Sequence, residues 1–111
     1  MSAITTHILD TTLGRPAAGV RIELERETTG WTAVGAGTTD ADGRAKDLLN
    51  GQTLEVGTYR LRFHVGPYFQ GLDRDAFYPY VEIVFEVRAA AEHYHVPLLL
   101  NPYGYSTYRG S

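Results

Sequence analysis

Short runs in which apolar and polar residues alternate recur along this chain, and the runs are separated by turn signals. The clearest run covers residues 58–65, with Arg60, Arg62 and His64 at the outward positions. A period of two places successive side chains on opposite faces of a β-strand. Several short strands separated by turns predict an all-β sandwich. The other predicted strands cover residues 4–10, 20–26, 31–39, 44–49, 81–87, 93–100 and 105–109.

The connections between these strands are rich in residues that favour turns. Asp42-Gly43 and Asn50-Gly51 are pairs typical of tight hairpin turns. Asn101-Pro102 is a further turn signal near the end of the chain. Residues 66–80 lack alternation, and we predict the one short helix at residues 68–73.

Length and composition bound the class of protein. The chain has 111 residues, of which 43% are hydrophobic and 21% charged. These values are typical of a globular protein, and we expect one domain over residues 1–111. The net charge of −3 and the lack of a basic run argue against binding to nucleic acid or to an anionic membrane. The sequence has no cysteine, no visible signal peptide and no apolar run of transmembrane length, so we expect a cytoplasmic protein.

The last nineteen residues carry more packing and reactive groups than a chain end normally does. On residues 93–100 the alternation places Tyr94, Val96, Leu98 and Leu100 on one face, which suits a core. The other face mixes imidazoles with apolar groups, and His7 likewise shares a face with Leu9. A mixed face of this kind favours a partly dry site or an interface. The residues on that second face are His93, His95, Pro97 and Leu99.

Four sequence motifs resemble those of a known family. Residues 94–100 and 102–107 resemble the C-terminal signature of the transthyretin family, with Asn101 where that family commonly has serine. The final Tyr108-Arg109-Gly110-Ser111 is similar to the ending of its enzymatic branch, the 5-hydroxyisourate hydrolases. His7-Ile8-Leu9-Asp10 and Asp42-Gly43-Arg44 resemble the N-terminal and central motifs of the same branch.

The resemblance implies a fold, an assembly and an activity. The implied fold is a transthyretin-like β-sandwich of two four-stranded sheets with one short helix, assembled as a homotetramer. The implied activity converts 5-hydroxyisourate into 2-oxo-4-hydroxy-4-carboxy-5-ureidoimidazoline in urate breakdown, without a cofactor. The implied catalytic residues are His7, Arg44, His95 and Ser111. The implied substrate-binding residues are His7, Arg44, Tyr108, Arg109 and Gly110.

The chemistry of these side chains suits the opening of a ring amide by water. Imidazole has an unperturbed pKa of about 6.5, near working pH, which suits proton transfer. A guanidinium stays charged and presents a fixed fork of donors to a developing oxyanion. His7 and His95 could divide the base and acid roles, and the sequence leaves open which is the base. The terminal carboxylate of Ser111 suits orienting a histidine better than its hydroxyl suits attack, because no Asp–His relay accompanies it.

Simpler interpretations compete with these. His93 and His95 lie two apart and could chelate zinc, but zinc needs at least one further ligand and the chain has no cysteine. We therefore predict no metal, and His93 by itself is predicted to be an exposed strand residue. Asp40-Ala41-Asp42-Gly43 lacks the rest of a calcium loop and predicts a turn. A small-ligand carrier and a purely structural sandwich remain as alternative functions.

Overall fold

The computed structural model describes residues 3–111, which form nine strands and one short helix. The first half of the chain contains five strands and the second half contains the helix and four more strands. The first five are β1 (Ile4–Asp10), β2 (Arg15–Pro16), β3 (Arg21–Glu27), β4 (Trp31–Thr38) and β5 (Arg44–Ala45). The rest are β6 (Gly57–His64), α1 (Val65–Gly71), β7 (Val81–Val87), β8 (Tyr94–Asn101) and β9 (Gly104–Thr107).

The strands form two sheets that pack face to face, which confirms the predicted transthyretin-like β-sandwich. The second sheet has the order β4-β3-β6-β7 and is antiparallel throughout. The first sheet has the order β2-β1-β8-β9, with β1 and β8 parallel. It contains five strands rather than the predicted four, because β5 also pairs with β1. β2 and β5 are two-residue strands that occupy different parts of one edge of β1.

The alternating apolar residues of both sheets meet in one core. Leu61 and Phe63 from β6 and Ile8 from β1 are fully buried there, as the alternation predicted. Burying one such side chain contributes roughly 1.5–3 kcal/mol relative to leaving it exposed. β8 adds the four residues predicted to face the core, which are Tyr94, Val96, Leu98 and Leu100.

Two elements differ in extent from the sequence prediction. The helix begins at Val65, directly after β6, and ends at Gly71, three and two residues earlier than predicted. Val65 and Phe69 lie one turn apart and are both buried, so core packing sets where the helix starts. β5 ends at Ala45, well short of residue 49, because Leu48 and Leu49 enter the core from a turn instead. No helix within residues 3–111 combines the length and the apolarity needed to cross a bilayer.

A buried carboxylate joins β1 to the segment around the helix. Asp10 is fully buried and accepts hydrogen bonds from the Tyr68 hydroxyl at 2.8 Å and from Nη1 of Arg74 at 2.7 Å. The backbone N–H groups of Thr12 and Leu13 each donate to it at 3.0 Å. Burial raises the pKa of Asp10, but these hydrogen bonds together lower it by more. The pKa of Asp10 therefore lies below its ordinary value. Burial and the bond to Asp10 raise the pKa of Tyr68 to about 12.

Candidate active site

The outer face of the first sheet gathers the predicted histidines and Arg44. In the strand register His7 on β1 lies opposite Arg44 on β5 and opposite Pro97 on β8. Thr5 on β1 lies opposite His95 on β8. Directly opposed residues in a sheet present their side chains on the same face. Three strands therefore bring these groups together, although they are far apart in the sequence.

A cavity of about 440 Å³ opens on this face. Three of the residues predicted from the sequence line it, namely Arg44, His95 and Ser111. His7 is not part of its lining, but it lies on the same face directly opposite Arg44. We call it the histidine cavity, and its lining residues are Thr5, Thr6, Arg44, Lys46, His93, His95 and Ser111.

A tight turn fixes the backbone of Arg44. The N–H groups of Asp42 and Arg44 donate to Oδ1 of Asp40 at 2.9 and 3.0 Å, and the bond from Arg44 is the main reason that the pKa of Asp40 is lowered. Gly43 has a φ of +75°, and a Cβ there would lie 2.5 Å from the carbonyl oxygen of Ile8. Glycine is therefore required for the turn to pack against β1. The turn thereby fixes the backbone of Arg44 at the start of β5, directly beside His7.

Two histidines in the cavity share one hydroxyl. Oγ1 of Thr5 lies 2.8 Å from Nε2 of His93 and 2.8 Å from Nδ1 of His95. The His95 ring is half-buried, whereas His93 is exposed. Burial lowers the pKa of His95, and the nearby His93, Arg44 and His7 lower it further. His95 is therefore neutral at neutral pH and can accept a proton.

The chain end is held against His95. The N–H of Gly110 donates to the carbonyl oxygen of His95 at 2.8 Å, which forms an isolated β-bridge. A Cβ at Gly110 would lie 2.6 Å from Cδ2 of His95 and 3.2 Å from Cγ of Pro97. The backbone thus lies on the imidazole ring at a distance that only glycine permits. This arrangement brings Ser111 to the histidine cavity.

The structure does not bring Tyr108 and Arg109 to the histidine cavity. The guanidinium of Arg109 lies 4.5 Å from the centre of the Tyr94 ring and donates to Oε1 of Glu92 and to the carbonyl oxygen of His93, both at 3.2 Å. Both residues line a different cavity of about 630 Å³ at the edge of the sandwich, together with residues of β7. In this arrangement Arg109 anchors the chain end. Arg109 lines one cavity and Ser111 lines the other, so the backbone passes between the two cavities at Gly110.

The histidine cavity also contains residues that sequence reasoning did not assign to the site. Lys46 adds a second cation beside Arg44, and Thr5 joins the two histidines. His93 is exposed as predicted, but it precedes β8 and is bonded to Thr5. Strand alternation could have indicated Thr5, Lys46 and His93, because each lies two residues from a predicted site residue and so on the same face of its strand. Within residues 3–111, no group of three or more acidic, histidine or cysteine side chains is arranged to hold a metal ion.

Comparison with known proteins gives the same family by sequence and by structure. The chain is 47% identical to the 5-hydroxyisourate hydrolase of Salmonella dublin over 97% of this chain and 80% of that protein. The structure of Klebsiella pneumoniae 5-hydroxyisourate hydrolase superposes with a TM-score of 0.87, at 35% identity over 99% of this chain and all of that one. Sea bream transthyretin in complex with thyroxine superposes with a TM-score of 0.91, at 32% identity over 97% of this chain and 94% of that one.

The family model covers most of the chain. It is described as the HIUase/Transthyretin family, and residues 4–110 match it. The matched range includes His7, Arg44, His95 and the chain end up to Gly110. This chain therefore belongs to the HIUase/Transthyretin family.

Proposed function

We propose that this protein hydrolyses 5-hydroxyisourate to 2-oxo-4-hydroxy-4-carboxy-5-ureidoimidazoline, as a cyclic amide hydrolase of urate breakdown. The observation that carries the proposal is the histidine cavity, where Arg44, Lys46, His95 and Ser111 line one space. The names of the relatives in Salmonella and Klebsiella support the same reaction. Our proposed catalytic residues are His7, Arg44, His95 and Ser111.

His95 is suited to activate water. Its lowered pKa keeps the imidazole neutral near pH 7, so a ring nitrogen can take a proton from the attacking water. Nδ1 is bonded to Thr5, and no hydrogen bond joins Nε2 to any described residue. Nε2 is therefore the nitrogen available to water in the cavity.

Arg44 and Lys46 supply positive charge where negative charge develops. Attack of water on the ring carbonyl builds an oxyanion, and a cation or donor placed at that oxygen lowers the barrier. The guanidinium of Arg44 also presents paired donors that match the adjacent carbonyl groups of a bicyclic purine derivative. Both side chains are exposed at the cavity, so they can reach a bound substrate.

His7 and the chain end complete the proposed site. His7 lies opposite Arg44, where a second imidazole can orient the substrate or protonate the leaving nitrogen. Ser111 lines the same cavity and can orient an imidazole by a hydrogen bond from the cavity wall. Gly110 permits the close approach of the chain end, and we assign Tyr108 and Arg109 to holding that end in place.

We further propose a cytoplasmic homotetramer. Leu9 and Leu99 are half-buried on the outer face of the first sheet, beside the histidines, and a partner subunit could cover them. The absence of cysteine fits a reducing compartment. Light scattering at micromolar concentration should give four times the mass of the chain, and a monomer mass would contradict the proposal.

A small-ligand carrier is the second candidate function. It is favoured by the similarity to sea bream transthyretin, whose structure holds thyroxine. A carrier has no need for a neutral imidazole beside two cations, and this chain has both. The cavity composition therefore favours hydrolysis.

An ultraviolet assay separates the two functions. Freshly prepared 5-hydroxyisourate is followed by its absorbance with and without the protein, and thyroxine binding is measured by calorimetry on the same preparation. We expect catalytic amounts of protein to speed the loss of 5-hydroxyisourate well above its spontaneous decay. Decay at the spontaneous rate, together with tight thyroxine binding, would favour the carrier.

A further inference from the structure

One hydroxyl group links the two histidines of the histidine cavity. Oγ1 of Thr5 is within 2.8 Å of both His93 and His95, and the two ring centres are 6.4 Å apart. Thr5 is 9% exposed, so water does not compete freely for its hydroxyl. The proposed reaction does not require Thr5 to touch the substrate. Its geometry nevertheless restricts what both rings can do.

A hydroxyl carries one proton, which restricts the two hydrogen bonds. When Thr5 donates to one imidazole, it can only accept from the other. In one arrangement Nδ1–H of His95 donates to Thr5, Thr5 donates to Nε2 of His93, and Nε2 of His95 is unprotonated. In the other arrangement Nε2–H of His93 donates to Thr5 and Thr5 donates to Nδ1 of His95, so Nε2 of His95 carries the hydrogen. Only the first arrangement makes His95 a base towards the cavity.

We propose that Thr5 is a positioning residue that sets the tautomer of His95 and relays protons between His95 and the exposed His93. This inference rests on the proposed hydrolysis and deepens it. It assigns to His93 the role of temporary proton acceptor. Thr5 acts through the histidines and not on the substrate.

The proton balance of the relay closes over one turnover. Nε2 of His95 takes a proton from the attacking water. The Nδ1 proton of His95 then passes to Oγ1 of Thr5 while the hydroxyl proton of Thr5 passes to Nε2 of His93. His95 is now neutral with its proton on Nε2, and His93 carries the positive charge.

The second half of the reaction reverses these transfers. Nε2–H of His95 protonates the leaving nitrogen as the ring C–N bond breaks. The proton on Nε2 of His93 returns to Oγ1 of Thr5, and the hydroxyl proton returns to Nδ1 of His95. Both rings are back in their starting state, and no proton is gained or lost overall. One imidazole thus serves first as base and then as acid, and His7 is left to orient the substrate.

The surroundings favour movement of positive charge from His95 to His93. His95 is half-buried and faces His7 from β1 and Arg44 and Lys46 from the β5 segment, so a second positive charge there is unfavourable. His93 is exposed, and water can solvate its charge. None of the described side chains that line the cavity is acidic. Burial and the neighbouring cations lower the pKa of His95, which also favours the charge on His93 rather than on His95.

Nuclear magnetic resonance of ¹⁵N-histidine-labelled protein tests the tautomer without any substrate. In the wild-type protein at pH 7.5 we expect His95 to carry its hydrogen on Nδ1 and to have an unprotonated Nε2. Thr5→Val keeps the β-branched shape and removes the hydroxyl, so we expect a mixture of both tautomers. Thr5→Ser keeps the hydroxyl and should keep the single tautomer. A wild-type His95 with its hydrogen mainly on Nε2 would overturn the proposal.

Kinetics of the same variants test the relay. General acid–base catalysis typically contributes about a hundred- to ten-thousandfold, so we expect Thr5→Val to lower kcat at least about tenfold with little change in KM. Thr5→Ser should stay close to wild type. Thr11→Val is the matched control, because it also removes a threonine hydroxyl bonded to β8, at the carbonyl oxygen of Leu100, away from the cavity.

The outcomes separate this inference from the proposed function. An active wild type together with a fully active Thr5→Val would overturn the relay and leave the hydrolase intact. A wild type that does not act on 5-hydroxyisourate would overturn the proposed function, and the relay with it, whatever the tautomer of His95. If Thr5→Val does not fold, the wild-type tautomer and the kcat of His93→Gln decide. His93→Gln should lose at least about tenfold in kcat, and full activity would overturn the relay.

Discussion

The backbone N–H of Gly110 donates a 2.8 Å hydrogen bond to the carbonyl oxygen of His95, and the Gly110 backbone lies directly on the His95 ring. This contact links the chain end to the strand that carries the proposed base. It explains why a chain end can contribute to the histidine cavity without a strand of its own. β9 ends at Thr107, and the bridge to His95 then directs Ser111 towards Arg44 and Lys46.

Gly110→Ala should lower activity by about a hundredfold while the fold is kept. A Cβ at this position would lie 2.6 Å from Cδ2 of His95, so either the ring or the chain end must move. A displacement of about 1 Å at a catalytic group can cost about a hundredfold in rate. The measurement is turnover of 5-hydroxyisourate, with circular dichroism as the check on folding. The matched control is Gly104→Ala, where the nearest atom to a new Cβ is 3.6 Å away.

Deletion of Tyr108-Arg109-Gly110-Ser111 should abolish turnover and leave a folded oligomer. The buried residues of β8, such as Val96 and Leu98, precede the deleted segment, so the core is preserved. The deletion removes the bridge to His95 and the stacking of Arg109 on Tyr94. A gentler variant adds a charged tag after Ser111, which crowds the cavity but keeps every side chain. A truncated protein that opens the ring at the normal rate would show that the chain end is dispensable.

Arg44→Lys should lose most activity with little loss of stability. The backbone of residue 44, not its side chain, makes the bonds to Asp40 and to β1, and these survive the change. Lysine keeps the charge but loses the planar fork of donors. Loss of one oxyanion donor typically costs about a hundred- to a thousandfold in rate. Near wild-type turnover of Arg44→Lys would assign Arg44 a structural role.

Asp10→Asn should destabilise the protein at pH 7 but much less in acid. The change leaves the guanidinium of Arg74 without its carboxylate partner, and such losses typically cost about 3 kcal/mol or more for a buried pair. The folded pKa of Asp10 lies below its ordinary 3.8. The contribution of the Asp10 carboxylate to the free energy of unfolding is therefore complete above the pKa of Asp10 in the unfolded chain. It is lost as pH falls through the pKa of Asp10 in the folded protein.

Urea unfolding at pH 7 and at pH 3.5 measures this dependence. The difference between wild type and Asp10→Asn should narrow at the lower pH, because the Asp10 carboxyl of the unfolded chain then binds protons more strongly than the folded carboxyl, whose pKa is lowered. Asp75→Asn is the matched control, since Asp75 is exposed and forms no ion pair with any of residues 3–111. A difference that is the same at both pH values would argue that shape, not charge, makes Asp10 important.

The sandwich could be predicted from the sequence because its signal is local and repeated. Alternation on residues 58–65 gave the burial of β6 correctly, and the face of β8 that enters the core was also predicted. The helix start was wrong because Val65 continues the strand alternation and yet begins a helical turn. Strand periodicity cannot distinguish these two ways of burying one valine.

The site was predictable only in part, because local alternation predicts strands but does not show which strands pair. That His7, Arg44 and His95 meet depends on β1 pairing with both β5 and β8, which joins residues up to about ninety positions apart. Family resemblance named these residues, and the register explains why they meet. The same motif predicts substrate binding by Arg109, which stays a prediction, and in the structure the Arg109 side chain contacts Tyr94 and Glu92.

The rate at which His95→Gln consumes 5-hydroxyisourate, compared with His64→Gln, tests the central claim most directly. Both variants remove one imidazole, but His64 lies on the other sheet and is bonded to Glu23 at 2.6 Å. We predict that His64→Gln keeps wild-type turnover and that His95→Gln loses at least about a hundredfold, as expected for a lost general base. A folded His95→Gln protein with wild-type turnover would contradict the assignment of hydrolysis to the histidine cavity.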